Sequence, residues 1–415
     1  MTSPEPLQRW LFQRRPAAAQ FPYAAVVDAY QRHGKHLIPD QWTELLTATR
    51  NRLPEVRGIR HSPLAAFLTN ALDKTDGRYD YRTYLSLNLL PLAAIDGAPA
   101  SAARLLARRD RLHVQLLTDV IRFELRAIDG ATAPLPQLRP ESRLVTKRIR
   151  HALRAAQPAL HRLRLIEETP YGDHREVAQK VLAAVDLDLA TEEQLVLTLS
   201  MLPVWTVHDE WMFIRILQTF EATFALLAVD LHAIIAAVDA GRPQQAAARL
   251  SAAATLLRES APLWSLMATL QPEAFQRFRP YTEGASAIQS RNYKLVEALC
   301  RRPSADRLDS SAYLSVPEVR DRIIDGQPGL DDALAAAQYC NRTAGTSALA
   351  VAMKEFAGAL HQWRHTHYRL AVRMLGSGEA GTGYTEGTPY LARIRDQPIF
   401  EARCHPLAKG MAMEN

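Results

Sequence analysis

Three histidines stand close together at His361, His365 and His367. His361 and His365 are four residues apart and share one helix face, a spacing that could suit a zinc pair. No third ligand of the HExxH kind accompanies them, so a zinc reading lacks its donors. A neutral imidazole is also a good axial donor to a metal held by a cofactor. On residue types alone, however, His367 reads as a partly buried helix residue. Arg277 and Arg279 flank Phe278; a planar guanidinium pairs bidentately with a carboxylate, or it simply sits on the surface. Gly381-Thr382-Gly383 is a loop that could approach a ligand closely and offer it a hydroxyl, although such loops are commonly only flexible. Tyr81, Tyr84 and Leu85 are spaced for an amphipathic helix with Tyr84 in a core. Phe213 falls on a helical apolar stripe.

These residues sit in a chain of 415 residues, 47% hydrophobic and 23% charged, an ordinary globular composition long enough to bury a cofactor. The net charge of +6 is spread thinly. The most basic stretch, Arg139 to Arg164, reads as a solvated helix face and not as a nucleic-acid stripe. Three cysteines, Cys300, Cys340 and Cys404, lie far apart outside any motif, which argues against a disulfide framework and fits a reducing compartment. The first residues show no apolar segment of a secretory leader, and no run of ~18 uncharged apolar residues is found. The expectation is a cytoplasmic protein without a membrane span or a nucleic-acid partner.

Apolar residues recur at three and four throughout, while alternating Val/Ile/Thr runs are nearly absent, so the fold class expected is all-α. Loops fall at Gly97–Pro99, Gly130–Pro140, Gly241–Pro243, Gly326–Gly329 and Gly376–Pro389. The strongest helix runs from His208 to Ala240. Others are expected near 80–95, within 100–200, from Gln244 to about Leu270, from Ser290 to Leu299, and as two helices between Ala333 and Leu375. Thr191-Glu-Glu-Gln194 has the form of a capping box.

Four segments, in order, resemble tryptophan 2,3-dioxygenase. His208-Asp-Glu-Trp-Met-Phe-Ile214 is similar to that family's HDExLFI helix. Phe275-Gln-Arg-Phe-Arg-Pro-Tyr281 with Ala285-Ser-Ala-Ile-Gln-Ser290 is similar to FxxFRxxL…ASGFQS. Trp363-Arg-His-Thr-His367, followed by Gly381-Thr-Gly383, resembles WRxxH…GTGG. Tyr81-Arg-Thr-Tyr84-Leu85 is like YxxYL. The resemblance implies a helical haem-binding core over 201–415, the YxxYL helix over 76–95, an N-terminal helical extension over 1–75 and an inserted helical region over 96–200.

It further implies haem b, bound non-covalently since no Cys-x-x-Cys-His is present, with His367 as the proximal ligand. Phe213 and Phe275 would wall the indole of an aromatic amino acid, and Arg279 and Thr382 would hold its charged end. Tyr81, Tyr84 and Leu85 would reach into a neighbouring subunit, which implies a homo-oligomer, dimer or tetramer. The activity implied is insertion of O2 across the indole C2–C3 bond of L-tryptophan or a close analogue, giving an N-formylkynurenine-type product.

The pattern departs in three places. Leu217 stands where the family usually has a distal histidine, so no catalytic base is assigned. Ala287 and Ile288 replace Gly-Phe, and Tyr384 replaces a glycine. These changes keep two alternatives open: a haem-dependent monooxygenase or other tailoring enzyme of secondary metabolism, and a non-catalytic haem-binding homologue.

Overall fold

The three-and-four spacing of apolar residues folds as helices along the chain. The computed structural model describes residues 3–98, 100–131, 133–166, 172–337, 346–381 and 386–401. Among them no strand occurs, only two isolated bridges, Ala17 to Arg57 and Gln137 to Val207, so the fold is all-α.

The first helices are α1 (Glu5–Leu11), α2 (Tyr23–His33), α3 (Asp40–Asn51), α4 (Leu64–Ala71) and the single turn α5 (Tyr81–Tyr84). α1 to α4 close over an apolar core that also takes in Leu199 and Leu202, in which Trp10 meets Phe21 edge-on at 5.0 Å, and Tyr30, Trp42 and Phe67 are buried. The helix expected over 80–95 contracts to one turn. Asp80 Oδ1 caps it by accepting from Thr83 N at 2.8 Å, and Ser86, at φ +50°, turns the chain out of helical geometry.

Next come α6 (Ala102–Ile128), α7 (Ser142–Arg162), α8 (His174–Asp188) and α9 (Thr191–Leu199). The cap of α9 lies one residue earlier than expected, with Glu193 Oε2 accepting from Ala190 N at 3.0 Å. This stretch, expected as an inserted region of its own, shares the main core: Leu117, Ile121, Ile149, Ala156 and Val181 bury against the same cluster as the central helix. The basic stretch on α7 is a solvated face with one exception. Arg148 is fully buried between Glu124 at 2.9 Å and Asp209 at 2.7 Å.

The central helix is α10 (Asp209–Asp239), 31 residues and about 46 Å long. It packs against α6, against α11 (Pro243–Glu259) and against α14 (Arg291–Cys300). Between these lie α12 (Ala261–Met267) and α13 (Pro272–Thr282). The helix expected from Gln244 to Leu270 breaks between α11 and α12 because Pro262 has no N–H to continue the ladder. Short helices follow, α15 (Ala305–Leu308), α16 (Ser311–Leu314), α17 (Pro317–Ile324) and α18 (Leu330–Ala336), then the long α19 (Thr346–Leu375) against α11, and α20 (Thr388–Arg395) against α19. By length and composition α10 could cross a membrane; most of it is buried inside the fold.

The start of α10 ties the molecule together. His208 Nε2 meets Glu124 Oε2 at 3.2 Å, Asp209 accepts from Arg148 and from Gln271 N, and Glu210 accepts from Val204 N, Trp205 N and Tyr84 OH. All three side chains are buried. Burial would cost each several kcal/mol if unpaired, so their partners fix α6, α7, the loop before α13 and α5 around one helix end.

Candidate active site

α10 presents Phe213, Leu217, Phe220, Glu221 and Phe224 to a cavity of about 250 Å³. The opposite walls come from Trp264 and Met267 of α12, Phe275 and Arg279 of α13, the 285–290 turn, α14, α19 and α20. Aromatic and aliphatic side chains dominate the lining.

His367 faces this cavity from α19. Its ring stacks on Trp264 with centroids 5.3 Å apart at 21°, and leans on Trp363 at 5.3 Å and 58°. No residue among those described bonds to either ring nitrogen. Burial among the indoles pulls its pKa down to about 4, so the imidazole is neutral and has a lone pair to give. This is the donor a haem iron needs, held by stacking in place of the usual second hydrogen bond. Among the described residues no three His, Cys, Asp or Glu side chains gather as a metal site, and a haem requires only one.

Arg279 lies half-buried on α13 and also lines the cavity. One guanidinium nitrogen donates to Ala380 O, tying the loop after α19 to α13. It has no ion pair among the described residues, and partial burial lowers its pKa without threatening its charge. Among the described residues only the charge of Glu379 acts on it nearby, without an ion pair, so this arginine on an apolar wall is suited to take a carboxylate from a ligand. Phe275 sits one turn before it, and Phe213 packs against Phe275 at 5.7 Å and Phe278 at 5.3 Å.

Tyr81 and Tyr84, expected to reach a neighbouring subunit, line the cavity within this chain. Each is buried, Tyr84 bonding Glu210 at 3.4 Å and Tyr81 bonding Glu221. Leu85 is buried but does not reach the cavity; its carbonyl accepts from Gln218 Nε2 at 2.8 Å. The backbone of Tyr81 donates to Gln289 Oε1 at 2.9 Å, and Trp205 stacks on Tyr281 at 3.7 Å. The N-terminal helices thereby hold the turn that carries Ala287 and Ile288, both on the cavity wall. Thr382 and Tyr384 lie outside the described residues, although Gly381 and Gly387 beside them line the cavity.

Glu221 is the group sequence reasoning missed on α10. It follows Leu217 by one turn, on the same face, and it accepts from Ser290, from Asn292 at 2.8 Å and from Tyr81. Burial raises its pKa. The i, i+4 spacing from Phe213 through Leu217 could have found it. Trp264 carried no such signal, because only packing brings α12 beneath α19.

A family model described as tryptophan 2,3-dioxygenase matches residues 185–316, which include Phe213, Glu221, Phe275 and Arg279. The tryptophan 2,3-dioxygenase of Burkholderia mallei is 26% identical over 233 residues, 48% of this chain and 76% of its own length. That of Paraburkholderia phytofirmans is 26% identical over 238 residues, 49% of this chain and 78% of its own. With the family model's match covering the helix, the arginine and the turn that build the cavity, the chain is similar to the tryptophan 2,3-dioxygenase superfamily, as a divergent relative.

Proposed function

We propose that the chain is a haem-dependent oxygenase of L-tryptophan or a close analogue, inserting both atoms of O2 across the indole C2–C3 bond to give an N-formylkynurenine-type product. The observation that carries this is the placement of His367 and Arg279 on one aromatic-lined cavity. Haem b, when bound, supplies an iron centre that takes up dioxygen. His367 holds the group through its neutral imidazole. Arg279 fixes the carboxylate of the amino acid, and Phe213 and Phe275 wall the flat ring, so orientation contributes much of the rate. Tyr81 and Tyr84 exclude water from the α5 side. Leu217 offers no base to the indole N–H, and the Glu221 carboxyl is already engaged by Ser290, Asn292 and Tyr81, so α10 presents no free base to that proton.

A second reading is a monooxygenase that tailors an aromatic amino acid. Its support is that Leu217, Ala287 and Ile288, three departures from the family pattern, all line the cavity. The test is to load the protein with haem, reduce it without oxygen, add L-tryptophan and labelled O2, and weigh the product. Two labelled oxygens support dioxygenation, one supports tailoring, and no oxygenated product from any aromatic amino acid overturns both.

A further inference from the structure

Glu297 of α14 is ringed by three cations. Lys294 Nζ lies at 3.0 Å, Arg307 at 2.9 Å and Arg364 at 2.9 Å. Their pull, against burial, holds the Glu297 carboxyl down at about 2. Arg307 and Arg364 are in turn pushed above the usual guanidinium range, and the neighbouring Tyr293 and Tyr313 are pushed up and stay neutral. Among the described residues no second carboxylate pairs with these cations, so one negative charge faces three positive ones. Lys294 is 1% exposed and Arg364 7%. The rings of Tyr293, Tyr313 and Tyr390, 5.4–6.0 Å from these cations, offset part of the buried excess charge, and an anion would complete the balance.

The cluster opens onto the cavity, where Lys294, Arg364 and Tyr390 are part of the wall. Lys294 donates to Glu297 and to Tyr390 OH at 2.8 Å, which leaves its third N–H to give. The Tyr390 hydroxyl accepts from Lys294 and from Arg307 at 3.4 Å, and its own proton has no acceptor among the described residues. Arg364 precedes His367 by three residues on α19, so the two emerge from one helix face about a turn apart.

We infer that Lys294, Tyr390 and the charge of Arg364 form a carboxylate subsite distinct from Arg279, and that it takes a propionate of the porphyrin. The inference rests on the haem reading above. Two spare donors beside surplus positive charge are what a carboxylate requires, and their nearness to His367 assigns the carboxylate to the group that His367 holds. A second carboxylate on the amino-acid substrate has the same chemistry, and the experiment separates the two sources.

Full-length protein freed of haem is titrated by absorbance with haem b and with its dimethyl ester, which lacks both negative charges. The wild type is expected to bind haem about tenfold or more tighter than the ester, as expected for a charged hydrogen bond. Tyr390→Phe and Lys294→Met, which leave Glu297 paired with two arginines, are expected to lower haem affinity toward that of the ester and to leave ester affinity within about threefold. L-tryptophan affinity in the haem-loaded variants is expected to stay within the same margin. Equal binding of haem and ester by the wild type overturns the subsite while leaving the haem reading standing. A loss of tryptophan affinity in Lys294→Met with unchanged haem affinity moves the carboxylate to the substrate and also overturns it. Binding of neither porphyrin overturns the haem reading, and the subsite with it.

Discussion

The imidazole of His367 spends its burial on staying neutral, and that has a measurable sign. Its folded pKa of about 4 lies below the ordinary histidine value of 6.5, so the unfolded chain binds the extra proton between those values. Stability from this group is complete above about pH 6.5 and is lost as pH falls toward 4, by roughly 3 kcal/mol at most. Denaturant titrations of the haem-free protein should show that loss, and His367→Phe should flatten the slope; an unchanged slope would contradict the burial of this ring. With haem, His367→Ala is expected to abolish stoichiometric retention, read from the absorption spectrum. Full retention with an unaltered spectrum would remove His367 as ligand. At Arg279, replacement by Leu forfeits a charged hydrogen-bonded pair worth about 1.5–3 kcal/mol, so KM for tryptophan should rise roughly 10- to 100-fold with haem content unchanged. An unaltered KM would place the substrate carboxylate elsewhere.

Elements turn these side chains toward one another. The loop between α19 and α20 depends on Gly387, at φ +65°, where an added Cβ would lie 2.2 Å from Glu379 O and 2.4 Å from Gly381 N. Gly387→Ala must therefore displace the Ala380 carbonyl that Arg279 holds. The expected outcome is weaker tryptophan binding with haem content retained; wild-type affinity would mean that the loop does not order the arginine. At the other end, Arg148 lies buried between Glu124 and Asp209, joining α7 to α6 and α10. Arg148→Met leaves two carboxylates without their cation, and a loss of about 3–5 kcal/mol is expected in denaturant unfolding. A loss below 1 kcal/mol would show that His208 and Gln271 suffice to satisfy them. The His-Asp-Glu start of α10 thus contributes by holding elements in place, and none of the three lines the cavity.

For the whole molecule, the main consequence is that one chain supplies both sides of its cavity. Tyr81 and Tyr84 come from the N-terminal helices, and His367 and Arg279 from the C-terminal ones. Mixing a Tyr81→Ala,Tyr84→Ala variant with a His367→Ala variant should therefore restore no activity, since neither chain lends its residues to the other. Recovery of activity in the mixture would show that the tyrosines cross between subunits.

Periodicity and motif order in the amino-acid sequence were sufficient for the all-α fold, the span of α10 within a residue or two, and the identity of Phe213, Phe275, Arg279 and His367 as site candidates. Such signals are local: an i, i+4 stripe or a short motif is written within a few turns of chain. The contacts that complete the site are not. Trp264 beneath His367, Tyr81 against Glu221 and the three cations around Glu297 join residues up to 140 positions apart in sequence. Likewise only packing revealed that α6 to α8 enter the main core and that Arg148 leaves its solvated face. A helix records which of its faces is apolar, but the partner of that face is chosen by the burial of the whole chain at once.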